Sequence, residues 1–262
     1  MARVLDGAAE DIGAALRMRK VWIALAAEDV GDQHRRTTLG PLWLLINYLA
    51  FAGTFIFVFG HGTGTLNYPA YVATGLLVWL FISETITQSI SLFVREESFI
   101  KGTKLPLSAY VLRLAMQSTI RIGYAAVGCL AILFLSGAVP TAAWLWSALA
   151  LALIVATAPA AIAVAAFAGA YFPDLQFVVS NLMRLGMFLT PVFWVHTGGG
   201  GARSAFYHSN PFTYFLEIVR IPIVSGDGPV RSLLLCAALS LLLWALAVVL
   251  IGKYRKKVVF LV

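Results

Sequence analysis

Glu84 and Arg121 are ionisable residues inside stretches of chain that are otherwise apolar, as is Arg113, eight positions before Arg121. On a helix eight residues rise about 12 Å. A charge at the middle of a bilayer costs about 2.5–3.5 kcal/mol on insertion scales, so such groups face protein or water and often pair. Two chemistries fit Glu84 and Arg121: a polar pathway or gate, or an ion pair that satisfies only itself. Arg113 fits an ion pair, or a side chain reaching back to the headgroups. A second pattern is Tyr48, Phe51, Phe55 and Phe59, spaced by three and four and therefore on one helix face. Rings on a channel wall can stack against sugars as they slide past; the same stripe also serves packing or lipid contact.

Patterns for bond-making chemistry are missing. The run Gly198 to Gly201 is followed by Ala-Arg-Ser and lacks the Gly-Lys-Ser/Thr ending that grips phosphate. His34, His61, His196 and His208 are scattered without metal-ligand spacing, and no HExxH pair occurs. Cys129 and Cys236 lie in apolar runs and read as small buried hydrophobes. The expectation is a chain that is no enzyme and holds no cofactor or metal.

The remaining chemical feature is the stretch "REESFIKGTKLPL", residues 95–107, between two long apolar segments. Phe99 and Ile100 stand between Arg95, Glu96, Glu97, Lys101 and Lys104. An apolar pair flanked by charges suits docking onto another protein, with the charges fixing orientation. The bland alternative is a solvated loop.

These residues need a lipid solvent around them. Of 262 residues 12% are charged and 60% hydrophobic, and the mean hydropathy is +0.87. Soluble domains carry about 25% charged residues. The net charge of +7 sits in short blocks beside apolar segments, which fits a membrane surface rather than nucleic acid. Early Asp6, Glu10 and Asp11 argue against a signal peptide.

A span needs about 20 apolar residues. Six candidates run from about Leu39 to Phe59, Pro69 to Val94, Leu107 to Leu135, Ala142 to Tyr171, Val178 to Val195 and Leu233 to Ile251. The fifth is short and broken by Pro191. Basic residues fall on every second connection: Arg17, Arg19, Lys20, Arg35 and Arg36 before the first span, Arg95, Lys101 and Lys104 after the second, Arg184 beyond the fourth, and "KYRKK" at the end. Positive charge stays inside. Six spans with both termini in the cytoplasm follow, and residues 95–107 are cytoplasmic. Arg203, Arg220 and Arg231, in or next to the external segment, are the weak point of that topology.

Two further pieces complete the reading. Residues 1–34 form a cytoplasmic interface segment in which Ile12, Leu16, Trp22 and Leu25 give one side of a surface helix, or of a solvated one; residues 35–262 form the membrane domain. The external stretch carries Pro191 and Pro222, which interrupt helices. "NPFTYFLEIVR" then resumes as a helix with Asn210 as its cap. The pattern fits a re-entrant pair of helices or an interfacial loop anchored by aromatic rings. Ala161, Ala165 and Gly169 repeat every four residues, which favours close helix packing.

The segments "HRRTTLGPLWLLINYLAFAGTFIFVFG", "YPAYVATGLLVWLFISETITQS", "VREESFIKGTKLPL", "FLTPVFW" and "NPFTYFLEIVR" come in an order that resembles type-2 ABC exporter permeases. The closest resemblance is to the branch exporting O-antigen, capsular polysaccharide or teichoic acid, and it runs from about His34 to the C-terminus. It implies an all-α polytopic fold with six spans per copy, working as a homodimer in a bacterial inner membrane. It implies two copies of a separate ATPase subunit, which bind ATP and Mg. A coupling helix is implied at Glu96, Glu97, Ser98, Phe99, Ile100 and Lys101. A channel partly ringed by aromatics makes Tyr48, Phe51, Phe55, Phe59, Glu84 and Arg121 lining candidates. Re-entrant outer gate helices between spans five and six are implied to involve Pro191, Phe193, Trp194, Asn210, Pro211, Tyr214, Glu217 and Arg220. The cargo implied is a lipid-linked polysaccharide. A drug or lipid permease of the same fold and an ion-gradient transporter are the rival readings; an intramembrane enzyme fits least. The glycine run at 198–201 departs from the pattern and leaves the gate's form open.

Overall fold

The computed structural model describes residues 2–60, 67–103, 105–196, 198 and 200–258. His61, Lys104 and Gly199 lie outside the described residues. The described chain is all-helical apart from turns and short extended connections.

The N-terminal segment forms two helices rather than one. Helix α1 spans Ala2–Arg17 and α2 spans Arg19–Asp32. They break at Met18, whose ψ of 20° leaves the helical region. Of the expected apolar side, Ile12 packs against the core, Trp22 and Leu25 are half-buried and Leu16 is exposed, while Ala8, Ala15 and the carboxylate of Asp11 are buried. Packing decides this. Helix α1 lies against the two longest helices, where only small residues allow close approach. A Cβ on Gly252 would sit 2.1 Å from the Val4 carbonyl oxygen.

Among the described residues five helices are long and apolar enough to cross a membrane: α3 (Leu42–Phe59), α4 (Tyr68–Ile90), α7 (Leu107–Leu135), α8 (Trp144–Tyr171) and α12 (Val230–Val258). The chain is a multi-pass membrane protein. The second expected span is shorter than its apolar run: it stops at Ile90, Ser91 breaks the helix, and α5 (Leu92–Arg95) and α6 (Glu97–Gly102) follow as separate pieces. Helix α9 (Leu175–Leu189) is apolar but has only 15 residues. That gives about 22 Å against a hydrocarbon core of about 30 Å. Pro191 stands in the turn beyond its end.

Helices α10 (Ala202–Ser209) and α11 (Pro211–Val224) occupy the segment before α12. Asn210 caps α11 as expected, its Oδ1 accepting from the Phe212 amide at 3.0 Å. Pro211 takes the first helical position, where a missing N–H is harmless. Pro222 does not interrupt: it lies inside the last turn of α11.

Helix α4 is the hub, packing on α3, α7, α8, α9 and α11. Its side chains are mostly buried, including Trp79, Leu76 and Val72. Of the repeat on α8, Gly169 allows a close approach: a Cβ there would fall 1.8 Å from the Ile90 carbonyl oxygen.

Contacts sort the chain into two ends. At one lie α1, the C-terminal part of α12 and the start of α7: Arg255 pairs with Glu10 at 2.6 Å, and Asp11 accepts from the amides of Leu107 and Ser108 at 3.2 and 2.9 Å. Helix α6 leads into the same start of α7. At the other end lie the start of α4, the end of α7 (Asn67 Nδ2 to the Ser136 carbonyl, 3.0 Å) and the turn after α9. Helix α9 leads from one end to the other, since its start follows α8 beside Ile90 and its end meets Tyr68 and Tyr71.

Candidate functional site

Helices α3, α4 and α7 enclose a cleft of about 330 Å³, lined by Tyr48, Phe51, Ser83, Glu84, Ser118 and Arg121 among others. A second cleft of about 550 Å³ lies between α4 and α9 and shares Phe51, Leu80, Ser83 and Glu84 with the first. Thr87, Gln88, Ser180 and Arg184 line the second. Four of the six channel candidates, Tyr48, Phe51, Glu84 and Arg121, therefore meet. The folding reason is periodicity: Leu80, Glu84 and Gln88 repeat every four residues on α4, as do Ser180, Arg184 and Phe188 on α9.

Glu84 stands where the two clefts join. Arg121 Nη1 approaches its Oε1 at 3.1 Å but off the angle of a hydrogen bond, and Gln88 Nε2 donates to the same oxygen at 3.0 Å. Arg121 is 7% exposed and Glu84 45%. The buried cation is thus neutralised by a half-exposed anion on the cleft wall. The ion-pair reading holds, and the pair stands on the wall of the cleft.

Phe55 and Phe59 lie outside these clefts. With Phe51 they form a ladder at centroid distances of 5.2 and 5.8 Å, and Phe193 from the far-end turn stacks on Phe55 and Phe59 at 5.0 and 5.2 Å. Tyr48 turns inward: it is 3% exposed and donates to the Ala73 carbonyl at 2.7 Å.

Of the gate candidates, Arg220 reaches the turn at 191–194 and Asn210 the residue before it. Buried Arg220 donates through Nη1 to the Pro191 carbonyl (2.8 Å) and through Nη2 to that of Val192 (3.0 Å), and its guanidinium lies 3.6 Å from the Tyr71 ring centre. Tyr68 donates to Phe193 O at 2.8 Å and Tyr71 to Trp194 O at 2.9 Å. Gly75 makes the room, since a Cβ there would stand 2.0 Å from Arg220 Nη2. Tyr207 and Ser232 both donate to the Glu217 carboxylate. Burial first, then that carboxylate, pushes the Tyr207 phenol up, so it stays a donor. Asn210 Nδ2 donates to Thr190 Oγ1 at 2.7 Å, while Tyr214 donates to His208 O at 2.9 Å, away from the turn. Arg220, a weak point of the topology, is buried, with Nη1 and Nη2 bound to backbone carbonyls.

The charged stretch contains the short helix α6 at the expected place. Its two apolar residues part company. Phe99 is 56% exposed, whereas Ile100 is 8% exposed and belongs to the core. Neighbours at i and i+1 point about 100° apart on a helix, so both cannot enter one external cleft. Lys101 pairs with Glu97 at 2.6 Å, and Glu96 accepts from Arg113 Nη1 at 3.2 Å. Arg113 also holds Asp29 bidentately at 2.6 and 2.6 Å. Two protein carboxylates, Asp29 and Glu96, are its partners, which fits the ion-pair reading.

Residues 21–224 match the ABC-2 type transporter family. The chain belongs to that family. It is an ABC-2 permease, a membrane-embedded subunit whose family pairs with an ABC ATPase. Two relatives are both called "O-antigen export system permease protein RfbA", from Klebsiella pneumoniae. They are 25% and 26% identical to this ABC-2 permease over 175 residues, covering 66% of this chain and 68% of each relative.

Sequence reasoning passed over Asp11, Asp29, Gln33, Gln117, Tyr68, Tyr71 and Gly75. Asp29 and Gln33, like Arg113, Gln117 and Arg121, are spaced by four, and that signal was present. Nothing local marks the other four.

Proposed function

We propose that this ABC-2 permease exports a lipid-linked polysaccharide of O-antigen, capsule or teichoic acid type across a bacterial inner membrane. The observation that carries the cargo reading is the similarity to the two Klebsiella permeases named for O-antigen export. Two such chains form a homodimer around the translocation path, and each carries one ATPase subunit on α6. ATP and Mg belong to that subunit. Helix α9 makes the sixth crossing, with the turn at 191–194 extending its reach, and both termini face the cytoplasm with α6. The segment holding α10 and α11 gates the outer end. Cleft chemistry agrees with a glycan: Phe51 offers a ring face, and Ser83, Glu84, Gln88 and Ser180 offer partners for hydroxyls.

The test is reconstitution of permease and ATPase in proteoliposomes with a lipid-linked glycan on one face. Glycan movement that requires both ATP and the ATPase is expected. Movement by the permease alone would overturn the reading. Drug or phospholipid export without glycan export would favour a different cargo, and transport on an ion gradient without ATP a secondary transporter.

A further inference from the structure

Arg113 and Gln117 on α7 face Asp29 on α2, while Arg121, one turn further, faces Gln33 just past the end of α2. Positions 29 and 33 are one turn apart, and 113, 117 and 121 are successive turns, so two polar rows meet along one seam. Asp29 takes both Arg113 bonds and a third from Gln117 Nε2. Gln33 Oε1 accepts from Arg121 Nη2 at 3.1 Å. Beyond the seam Arg121 reaches Glu84 in the cleft, and Arg113 reaches Glu96 at the start of α6. The Arg113, Asp29 and Glu96 side chains are 18%, 25% and 13% exposed, so salt and water screen them little.

We infer that Asp29 is a positioning residue that keeps α6 in register with the cleft, by holding Arg113 where it can also hold Glu96. The chemistry requires a third party. Arg113 is a long, mobile side chain, and one bond of 3.2 Å to Glu96 does not fix it. The bidentate fork to Asp29 does, because two parallel charge-assisted bonds set the guanidinium plane. Displacement of α6 is then passed to α2 and α7 together, and along the seam to Arg121. This rests on the reading of α6 as the ATPase-docking helix.

Two measurements test it. In the permease alone, hydrogen exchange of residues 94–103 should rise in Asp29→Asn and in Glu96→Gln. It should not change in Asp32→Asn, an exposed residue on the same helix. In proteoliposomes with the ATPase, Asp29→Asn should still bind the ATPase but lower glycan exported per ATP by about five-fold or more, the lower end of usual coupling strengths. The double variant should be no worse than the worse single, because both act through Arg113. Unchanged exchange at 94–103, an unchanged export ratio, or effects that multiply would each overturn the positioning role. Failure of the docking reading looks different: Phe99→Ala would retain the ATPase as fully as the wild type, while the exchange result would stand.

Discussion

At the residue scale, Phe99 and Ile100 show why adjacent positions on a short helix have different fates. Phe99→Ala removes an exposed ring and should weaken retention of the ATPase on affinity purification while leaving the permease's melting temperature in detergent unchanged. Ile100→Ala empties a core position and should lower that melting temperature, with a cost of about 2–5 kcal/mol for a buried Ile truncation. If the two variants behave alike, the assignment of faces on α6 fails. Arg220 is the second such case. Arg220→Met leaves the carbonyls of Pro191 and Val192 without their donor, at about 1–3 kcal/mol for each buried group. Gly75→Ala drives a methyl into the same guanidinium. Both should lower the melting temperature and reduce export, and the double variant should fall short of the sum because both act on one contact. Full export in Arg220→Met would remove the turn at 191–194 from the gate.

At the element scale, helix α7 begins where its backbone amides find a carboxylate from another element. Asp11 accepts from the Leu107 and Ser108 amides and from the Ser108 hydroxyl (2.6 Å), and lies 3.8 Å from Arg255. A negative group at a helix N-terminus satisfies free donors and the positive end of the dipole. Asp11→Asn turns one of the two accepting oxygens into a donor and should therefore lower stability by about 1–3 kcal/mol, read as a lower melting temperature and faster exchange at residues 107–110. An unchanged value would mean that Pro106 and solvent suffice to start the helix. Elements also explain the split of the N-terminal segment. The break at Met18 lets α1 offer Ala8 and Ala15 to close neighbours and α2 offer Asp29 to α7.

At the scale of the whole molecule, orientation is what the proposed mechanism needs. Cys129 and Cys236 are buried, so neither competes for a label. Ser98→Cys on α6 should resist a membrane-impermeant thiol reagent applied to intact cells, and Ser204→Cys on α10 should react. Labelling of Ser98→Cys from outside would invert the proposed topology.

The helical membrane fold was legible in the chain because hydropathy and length act locally. A bilayer demands long apolar runs with paired backbone, and each run declares itself without knowledge of its neighbours. For the same reason Asn210 was recognisable as a cap, and Glu84 and Arg121 as the polar pair to watch; the short helix in the charged stretch was implied only by the family resemblance. Tertiary structure alone decided which partner each polar group found. Asp11 and Leu107 are 96 positions apart, Asp29 and Arg113 are 84, and Tyr71 and Trp194 are 123. No periodicity along a chain encodes such distances. They exist only because burial of apolar helix faces brings the polar residues into the same dry space, where an unpaired charge is too costly to leave alone.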